Sequence, residues 1–237
     1  MTQLSDHADR WLALANAELA RIHSYVPPAV LLSVWWSESR GIPGEVNDDS
    51  GASGLGQVTP IALQFYNDQN NTLLGMAEMR DTADPVLQAR VSTWLLNWNA
   101  QRVAGFAGDL PDRDLLLLSL LSYHQGWPAV RKQLVELDNR GLSVSWENLK
   151  NNIPVDSWQG KAPTYAYHEK TLSNAERICI EAPEAQGEAA SCFDGGIAEP
   201  IEPVPPILKN QQTVLIVAIG IVLAGLAVAL LSLAWRD

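Results

Sequence analysis

The stretch PAVLLSVWWSESRGIPGEVNDDSGASGLGQVTP, residues 28–60, joins an apolar run to a loop of small and polar residues. Proline is tolerated in the first turn of a helix, so Pro28 predicts a helix that begins there and continues through Ser39. Glycine and proline in residues 41–44 then end this helix. The segment that follows, to residue 57, is rich in Gly, Asn, Asp and Ser and predicts an ordered loop or a short ribbon of two or three strands.

Apolar residues recur at helical spacing over most of the chain up to residue 180, and no run alternates with period two over the length of a strand. A first helix is predicted to end near His23. After the loop, helices are predicted at residues 60–67, 84–104, 112–124, 128–139, 145–151 and 164–178. The sequence therefore predicts an α-dominated domain that spans residues 1–180.

The composition changes towards the C-terminus. Residues 181–208 are rich in Ala, Glu, Gly and Pro and predict a linker. The segment from Thr213 to Trp235 contains no charged residue. As a helix it would be about 34 Å long, enough to cross a hydrocarbon core of about 30 Å. Residues 209–237 are therefore predicted to hold one transmembrane helix, with a lipid membrane as its partner.

The charges and the polar residues exclude several classes of protein. The net charge is −11 and no run is rich in Lys and Arg, so nucleic acid is not an expected partner. The four histidines show no metal-binding spacing, and neither a metal nor another cofactor is expected. Asp6, Asp9 and Glu18 make the N-terminal segment unlike a signal peptide. Cys179 and Cys192 either form a disulfide bond or remain two thiols.

Glu38 is the candidate catalytic residue of the opening stretch. In a helix, Val34 and Trp35 lie on the same face as this glutamate. A carboxyl group against apolar and aromatic surface is poorly solvated, which raises its pKa and makes it a proton donor near neutral pH. The alternative is a glutamate at the helix end that pairs with Arg40 and points to water.

Small residues dominate SGASGLGQ, residues 50–57, immediately before the next predicted helix. They allow a ligand or another backbone segment to come close, and Gln57 offers both an amide donor and an acceptor to a neutral polar substrate. The segment matches neither a phosphate-binding loop nor a dinucleotide fingerprint nor a nucleophile elbow. By itself the loop is a weak indication of a binding site.

Four short motifs stand at residues 38–39, 51–60, 122–126 and 163–170, and together they resemble the lytic transglycosylase family that is related to goose-type lysozyme. Glu38-Ser39 is similar to its Glu-Ser pair, and residues 51–60 are similar to its Gly-Ala-x-Gly-Leu-Met-Gln followed by proline. SYHQG at residues 122–126 lies where the family has Ala-Tyr-Asn-x-Gly, and PTYAYHEK at residues 163–170 is similar to its Glu-Thr-x-x-Tyr-Val. The motifs follow the family order over about residues 26–175.

The resemblance implies a lysozyme-like fold that cleaves the β-1,4 bond between N-acetylmuramic acid and N-acetylglucosamine in peptidoglycan glycan strands. Glu38 would protonate the glycosidic oxygen and then act as base on the muramoyl C6 hydroxyl, which closes a 1,6-anhydro ring. The resemblance also implies a set of substrate-binding residues, in which the two tyrosines donate hydroxyl protons: Ser39, Gly54, Leu55, Gly56, Gln57, Tyr123 and Tyr167. Without the resemblance, each tyrosine is better explained as a core aromatic.

Three residues depart from the family pattern: Gly56 replaces methionine, His124 replaces asparagine and Asp48 replaces serine. The first change removes a side chain from the expected saccharide cleft, and the other two alter the expected surroundings of the acetamido group. If Asp48 or Asp49 reaches the far face of the sugar, the enzyme becomes a hydrolysing muramidase. A glycan-binding or structural membrane protein without catalytic activity is the remaining alternative.

Two further features concern sugar binding and location. Trp94 and Trp98 lie one helical turn apart, which favours core packing over sugar stacking. A peptidoglycan-cleaving enzyme must meet the wall outside the cytoplasmic membrane. The C-terminal anchor therefore leads us to expect a bacteriophage virion membrane, with other virion membrane or capsid proteins as possible partners. The alternative location is the bacterial inner membrane, with the enzyme facing the periplasm.

Overall fold

The structure is a computed structural model that describes residues 3–24, 26–153 and 165–183. Within these ranges the chain forms eight α-helices, one short 3-10 helix at Glu78–Arg80 and no β-strand. The α-helices are α1 (Gln3–Arg21), α2 (Pro28–Ser39), α3 (Pro60–Asn70), α4 (Val86–Ala107), α5 (Asp112–Gln125), α6 (Trp127–Asn139), α7 (Trp146–Asn152) and α8 (Tyr165–Glu181). The predicted α-dominated fold is therefore confirmed for the described residues.

Helix α2 has the predicted boundaries. It begins with proline in its first turn and ends where Arg40 adopts a left-handed conformation, with φ of 58°. The helix is apolar on all sides, and residues 29–35 are buried. Such a helix belongs inside a fold, and α2 indeed packs against α1 and α8. This buried position fixes the direction in which the last turn of α2 presents Glu38.

The other predicted helices occur within a few residues of the expected places, whereas the 3-10 helix was not predicted. Polar caps explain two of the helix starts. The Thr59 side chain accepts a hydrogen bond from the backbone N–H of Ala62 before α3, and Ser145 caps α7 in the same way. A 3-10 helix of three residues is too short to show a periodic apolar pattern, so it could not be predicted from periodicity.

The loop between α2 and α3 folds into a minimal ribbon. Ser53 forms isolated antiparallel bridges with Val46 on one side and Val58 on the other. The side chain of Asn47 accepts hydrogen bonds from the backbone N–H groups of residues 49 and 50, and so fixes the turn between the first two segments. The loop is therefore ordered, as predicted, although its pairing does not extend into strands.

Two clusters of buried side chains form the core. The larger cluster joins α1, α2, α4, α5, α6, α7 and α8, and the smaller lies beneath α3. Trp94 and Trp98 stack with ring centroids 6.3 Å apart, and Phe65 on α3 packs edge-on against Trp98. Trp94 also contacts the smaller cluster. The geometry favours core packing for these two tryptophans.

The predicted C-terminal elements lie almost wholly outside the described residues. These elements are the linker at residues 181–208, of which residues 181–183 are described, and the transmembrane helix at residues 213–235. Among the described helices, none combines the length and the apolar character that a membrane crossing requires. Cys179 on α8 is disulfide-bonded. The other cysteine of the sequence, Cys192, lies outside the described residues.

Candidate active site

Glu38 lies at the C-terminal end of α2 with its side chain 14% exposed. Val34 and Trp35, one turn earlier, are buried as predicted. Oε1 of Glu38 accepts a hydrogen bond of 2.6 Å from the Tyr167 hydroxyl on α8. The alternative pairing with Arg40 is wrong, because the Arg40 guanidinium lies 5.1 Å from the Trp36 ring centre instead. The carboxylate therefore faces the interior junction of α2 with α8.

A second contact to the same carboxylate oxygen comes from α5. Nε2 of His124 lies 2.5 Å from Oε1 of Glu38, and Nδ1 of His124 lies 2.9 Å from Nε2 of His168 on α8. His168 is fully buried. Neither histidine was predicted as a site residue. The departure from asparagine at position 124 was a usable signal, whereas nothing in the sequence marked His168.

The surroundings of Glu38 reverse the predicted direction of its pKa shift. Burial raises the pKa of Glu38, but the charge of His124 and the hydrogen bonds from His124 and Tyr167 lower it by more. The net result is a pKa below the ordinary value for glutamate. The prediction of a raised pKa is therefore wrong, because it considered the apolar face of α2 and not the donors that α5 and α8 contribute.

The two predicted tyrosines have different roles. Burial, followed by the nearby Glu38 charge and hydrogen bond, raises the pKa of Tyr167, so its hydroxyl stays protonated and donates to Glu38. Tyr123 instead donates a 2.6 Å hydrogen bond to the backbone carbonyl of Gly56. Burial raises the pKa of Tyr123 well above its ordinary value. Tyr123 thus positions the loop in this structure, and its role as a donor to the substrate stays a prediction.

Three predicted substrate-binding residues are used to hold the loop. Ser39 is buried, and its hydroxyl lies 2.9 Å from the Leu55 carbonyl oxygen, to which it donates. Leu55 is fully buried in the core. The Gln57 side-chain N–H group donates to the carbonyl oxygens of Glu45 and Gly54 at 3.0 and 3.2 Å. In this structure the Ser39 and Gln57 side chains hold the loop, and the predicted contacts of these residues with a saccharide stay a prediction.

Glycine is required at position 56 by close packing. A Cβ atom there would lie 2.4 Å from Cβ of Ser92 and 2.6 Å from the Tyr123 hydroxyl oxygen. The methionine that the resemblance led us to expect does not fit this backbone unless α4 or α5 moves. The glycine therefore lets the loop approach α4 and α5, rather than merely leaving a gap in a saccharide cleft.

Gln88 on α4 is a fully buried residue that the sequence did not indicate. Its Oε1 accepts a 3.0 Å hydrogen bond from the backbone N–H of Leu55, and its Nε2 donates to the Asp81 carbonyl oxygen. A buried amide must find partners for both of its ends. Gln88 meets this requirement by joining the glycine loop (residues 50–57) to the segment before α4.

Asp48 and Asp49 are exposed on the turn of the loop. Their role as activators of water stays a prediction. Among the residues that the structure describes, no cluster of His, Cys, Asp and Glu side chains has the arrangement needed to hold a metal ion.

A comparison with protein families identifies the domain. The family model described as the transglycosylase SLT domain matches residues 16–142, which is more than half of the chain. The chain belongs to the transglycosylase SLT domain family. Its members are lytic transglycosylases that act on peptidoglycan, so this protein is an enzyme of that class. No curated protein and no solved structure matches the chain.

The SLT match includes α2, the glycine loop and the end of α5, and therefore includes Glu38, Tyr123 and His124. It ends before α8, which supplies Tyr167 and His168. The predicted resemblance to lytic transglycosylases over about residues 26–175 is thus supported by a family match that ends at residue 142. Tyr167 and His168 lie outside the matched residues, and the fold brings them into contact with Glu38 and His124, respectively.

Replacing Tyr167 with phenylalanine removes the hydroxyl donor to Glu38. A hydrogen bond to a charged group contributes about 1.5–3 kcal/mol, so we expect the turnover rate on purified sacculi to fall by about tenfold or more. Tyr165→Phe is the matched control, because the Tyr165 hydroxyl donates to the Ile153 carbonyl at 2.7 Å, away from Glu38. Equal turnover losses in both variants would contradict a role for Tyr167 in the reaction.

Proposed function

We propose that the protein cleaves the β-1,4 bond between N-acetylmuramic acid and N-acetylglucosamine without hydrolysis, with Glu38 as both acid and base. The supporting observation is a nearly enclosed carboxylate at the end of α2 that receives hydrogen bonds from side chains on two other helices. A carboxyl group held in this way keeps one orientation through both proton transfers. General acid–base catalysis requires such positioning before any adjustment of pKa.

The proposed reaction has two proton transfers through the same residue. Glu38 donates a proton to the glycosidic oxygen, the bond from that oxygen to C1 of N-acetylmuramic acid breaks, and positive charge develops at C1. The acetamido group of the substrate stabilises this charge. The Glu38 carboxylate then takes the proton of the C6 hydroxyl, whose oxygen bonds to C1 and closes the anhydro ring. No water is consumed, so a second carboxylate of the kind that hydrolysing glycosidases use is not needed.

The hydrolysing alternative is supported by the exposure of Asp48 and Asp49 on the loop beside the site. A carboxylate that reached the far face of the sugar would activate a water molecule, and the product would carry a reducing end. The predicted anhydro product is lighter than the hydrolysed one by one water molecule. Mass spectrometry therefore distinguishes the two reactions directly.

The test is digestion of purified sacculi by the full-length protein in detergent, followed by mass spectrometry of the released muropeptides. Anhydro products are the expected result. Reducing-end products that disappear in the Asp48→Asn or Asp49→Asn variant would overturn the proposal in favour of a muramidase. Release of no product would favour a glycan-binding protein.

We also propose that residues 213–235 anchor the enzyme in a membrane and that this membrane belongs to a phage virion. The length and the uncharged character of the segment support the anchor. A virion membrane would bring the enzyme to the wall from outside the cell, where its substrate is accessible. Other proteins of that membrane or capsid are the proposed neighbours. Detection of the chain in purified particles tests this location, and its absence from them would favour the bacterial inner membrane.

A further inference from the structure

The proposed mechanism uses Glu38 alone, yet the carboxylate belongs to a longer hydrogen-bonded series. The series runs from Glu38 on α2 to His124 on α5 and then to His168 on α8, with contact distances of 2.5 and 2.9 Å. His124 is 11% exposed at its side chain and His168 is fully buried. Three helices therefore bring two imidazole rings into line with the catalytic carboxylate.

The ring nitrogens of this series can hold a proton in more than one place. A neutral imidazole has one donor and one acceptor nitrogen. When Glu38 is ionised and His124 is neutral, Nε2 of His124 donates to Glu38 and Nδ1 of His124 accepts from Nε2 of His168. When Glu38 is protonated, its hydroxyl donates to Nε2 of His124, and the donor and acceptor roles along the series reverse. Both arrangements use the same two contacts.

We propose that Glu38 and His124 share one exchangeable proton, and that His168 orients the His124 ring for this exchange. His124 is then a positioning residue, which acts on the substrate only through Glu38. The proposal rests on the proposed function, in which Glu38 is the acid and base. It adds that the proton used in catalysis is stored by the pair between turnovers and not by the carboxyl group alone.

The proton balance of the cycle closes within the pair. Before reaction the pair holds one exchangeable proton, either as a Glu38 carboxylate beside a His124 imidazolium or as a protonated Glu38 beside a neutral His124. Transfer of this proton to the glycosidic oxygen produces the C4 hydroxyl of the leaving sugar and leaves Glu38 and His124 without their exchangeable proton. The C6 hydroxyl proton then passes to the pair as the anhydro ring closes, which restores the exchangeable proton. No outside acid or base is required.

The other ionisable groups around the pair do not compete for this proton. Tyr123 and Tyr167 face it from α5 and α8, and burial raises the pKa of each, so both remain neutral. Beyond His168, Trp146 on α7 donates to Glu169. That carboxylate is paired with Lys150 at 3.0 Å. Lys150 thus makes its ion pairs with Glu169 and Glu147, whereas Glu38 is coupled to His124.

The first test is the pH dependence of kcat/KM for full-length wild-type protein and the His124→Asn variant on purified sacculi. The last proton of a coupled pair dissociates with an apparent pKa at or above that of either group alone. Asparagine retains an amide donor but cannot hold the proton. We therefore expect the alkaline limb of the variant to move to lower pH by more than about one unit, the coupling above which two sites titrate as a pair, so that its activity falls more at alkaline than at acidic pH.

An unchanged alkaline limb, or a uniform loss at every pH, would overturn the proposal in favour of a packing role. His23→Asn is the matched control, because His23 is exposed and has φ of 48°, a left-handed conformation that asparagine tolerates. The alkaline limb of the His23→Asn profile should stay where it is in wild type. His168→Gln, which keeps a polar partner for the ring of His124, should lie closer to wild type than His168→Leu. The reverse order would contradict the orienting role of His168.

A second readout does not depend on activity. In the resting protein, the side-chain carbon of Glu38 and the ring nitrogens of His124 should report the same midpoints in an NMR titration, because coupled groups titrate as one system. Independent midpoints would overturn the shared proton even if anhydro products are formed. Common midpoints in a protein that releases no product would instead place the failure with the proposed function.

Discussion

Replacing Glu38 with glutamine should lower the turnover rate on sacculi by roughly 10²–10⁴-fold, the contribution typical of a positioned acid or base. Glutamine has nearly the same shape and its carbonyl oxygen can still accept from Tyr167 and His124, but it neither gives nor takes the proton. The thermal midpoint at neutral pH should be somewhat below that of wild type, because the lowered pKa of Glu38 means that its neighbours stabilise the ionised carboxylate in the folded protein. Muropeptide release and a melting curve measure the two effects.

Glu18→Gln is the matched control for this substitution. The Glu18 side chain on α1 is only 5% exposed and pairs with Arg21 at 2.8 Å and Arg90 at 3.3 Å, whereas Glu38 on α2 pairs with His124. Loss of these charged hydrogen bonds should reduce stability by about 1–3 kcal/mol while the folded enzyme keeps its turnover rate. A Glu38→Gln enzyme that retained more than about a tenth of wild-type turnover would contradict the assignment of Glu38, since general acid–base catalysis contributes far more than that.

The position of Glu38 was predictable from the sequence, whereas its electrostatic environment was not. Helix α2 is defined by local signals, namely proline at its start and glycine after its end, and these signals place the carboxyl at the last turn. The pKa of Glu38 depends on His124 and Tyr167, which are 86 and 129 residues away in the sequence. No periodicity or spacing relates residues so far apart. The sign of the shift therefore required the fold.

The glycine loop shows the same division between local and distant information. Its small residues correctly predicted close approach by another group. The groups that approach most closely are Gln88, Ser92 and Tyr123 of the protein itself, on α4 and α5. The sequence left open whether a ligand or another part of the protein approaches, because a family motif records which residues recur and not which atoms they touch. The loop is consequently better understood as a rigid support for the site.

Gly54→Ala should test that rigidity with the largest expected effect on stability. Gly54 has φ of +80°, and an added Cβ would lie 2.8 Å from the Met79 carbonyl oxygen and 2.8 Å from Oε1 of Gln88. The left-handed conformation alone costs alanine about 1 kcal/mol, and a clash with backbone cannot be relieved by a side-chain rotation. We expect a total loss of about 2–4 kcal/mol in the free energy of unfolding, measured by urea denaturation.

Gly141→Ala separates the two contributions. Gly141 has a similar φ of +70°, but no atom lies within 4 Å of the position where its Cβ would be. Its substitution should therefore cost only the conformational part, about 1 kcal/mol. The difference between the two variants measures the close approach at Gly54. Equal losses of unfolding free energy in the two variants would mean that the loop shifts readily away from Met79 and Gln88. Such a loop could not hold the backbone of Leu55 and Gly56 in a fixed position beside Glu38.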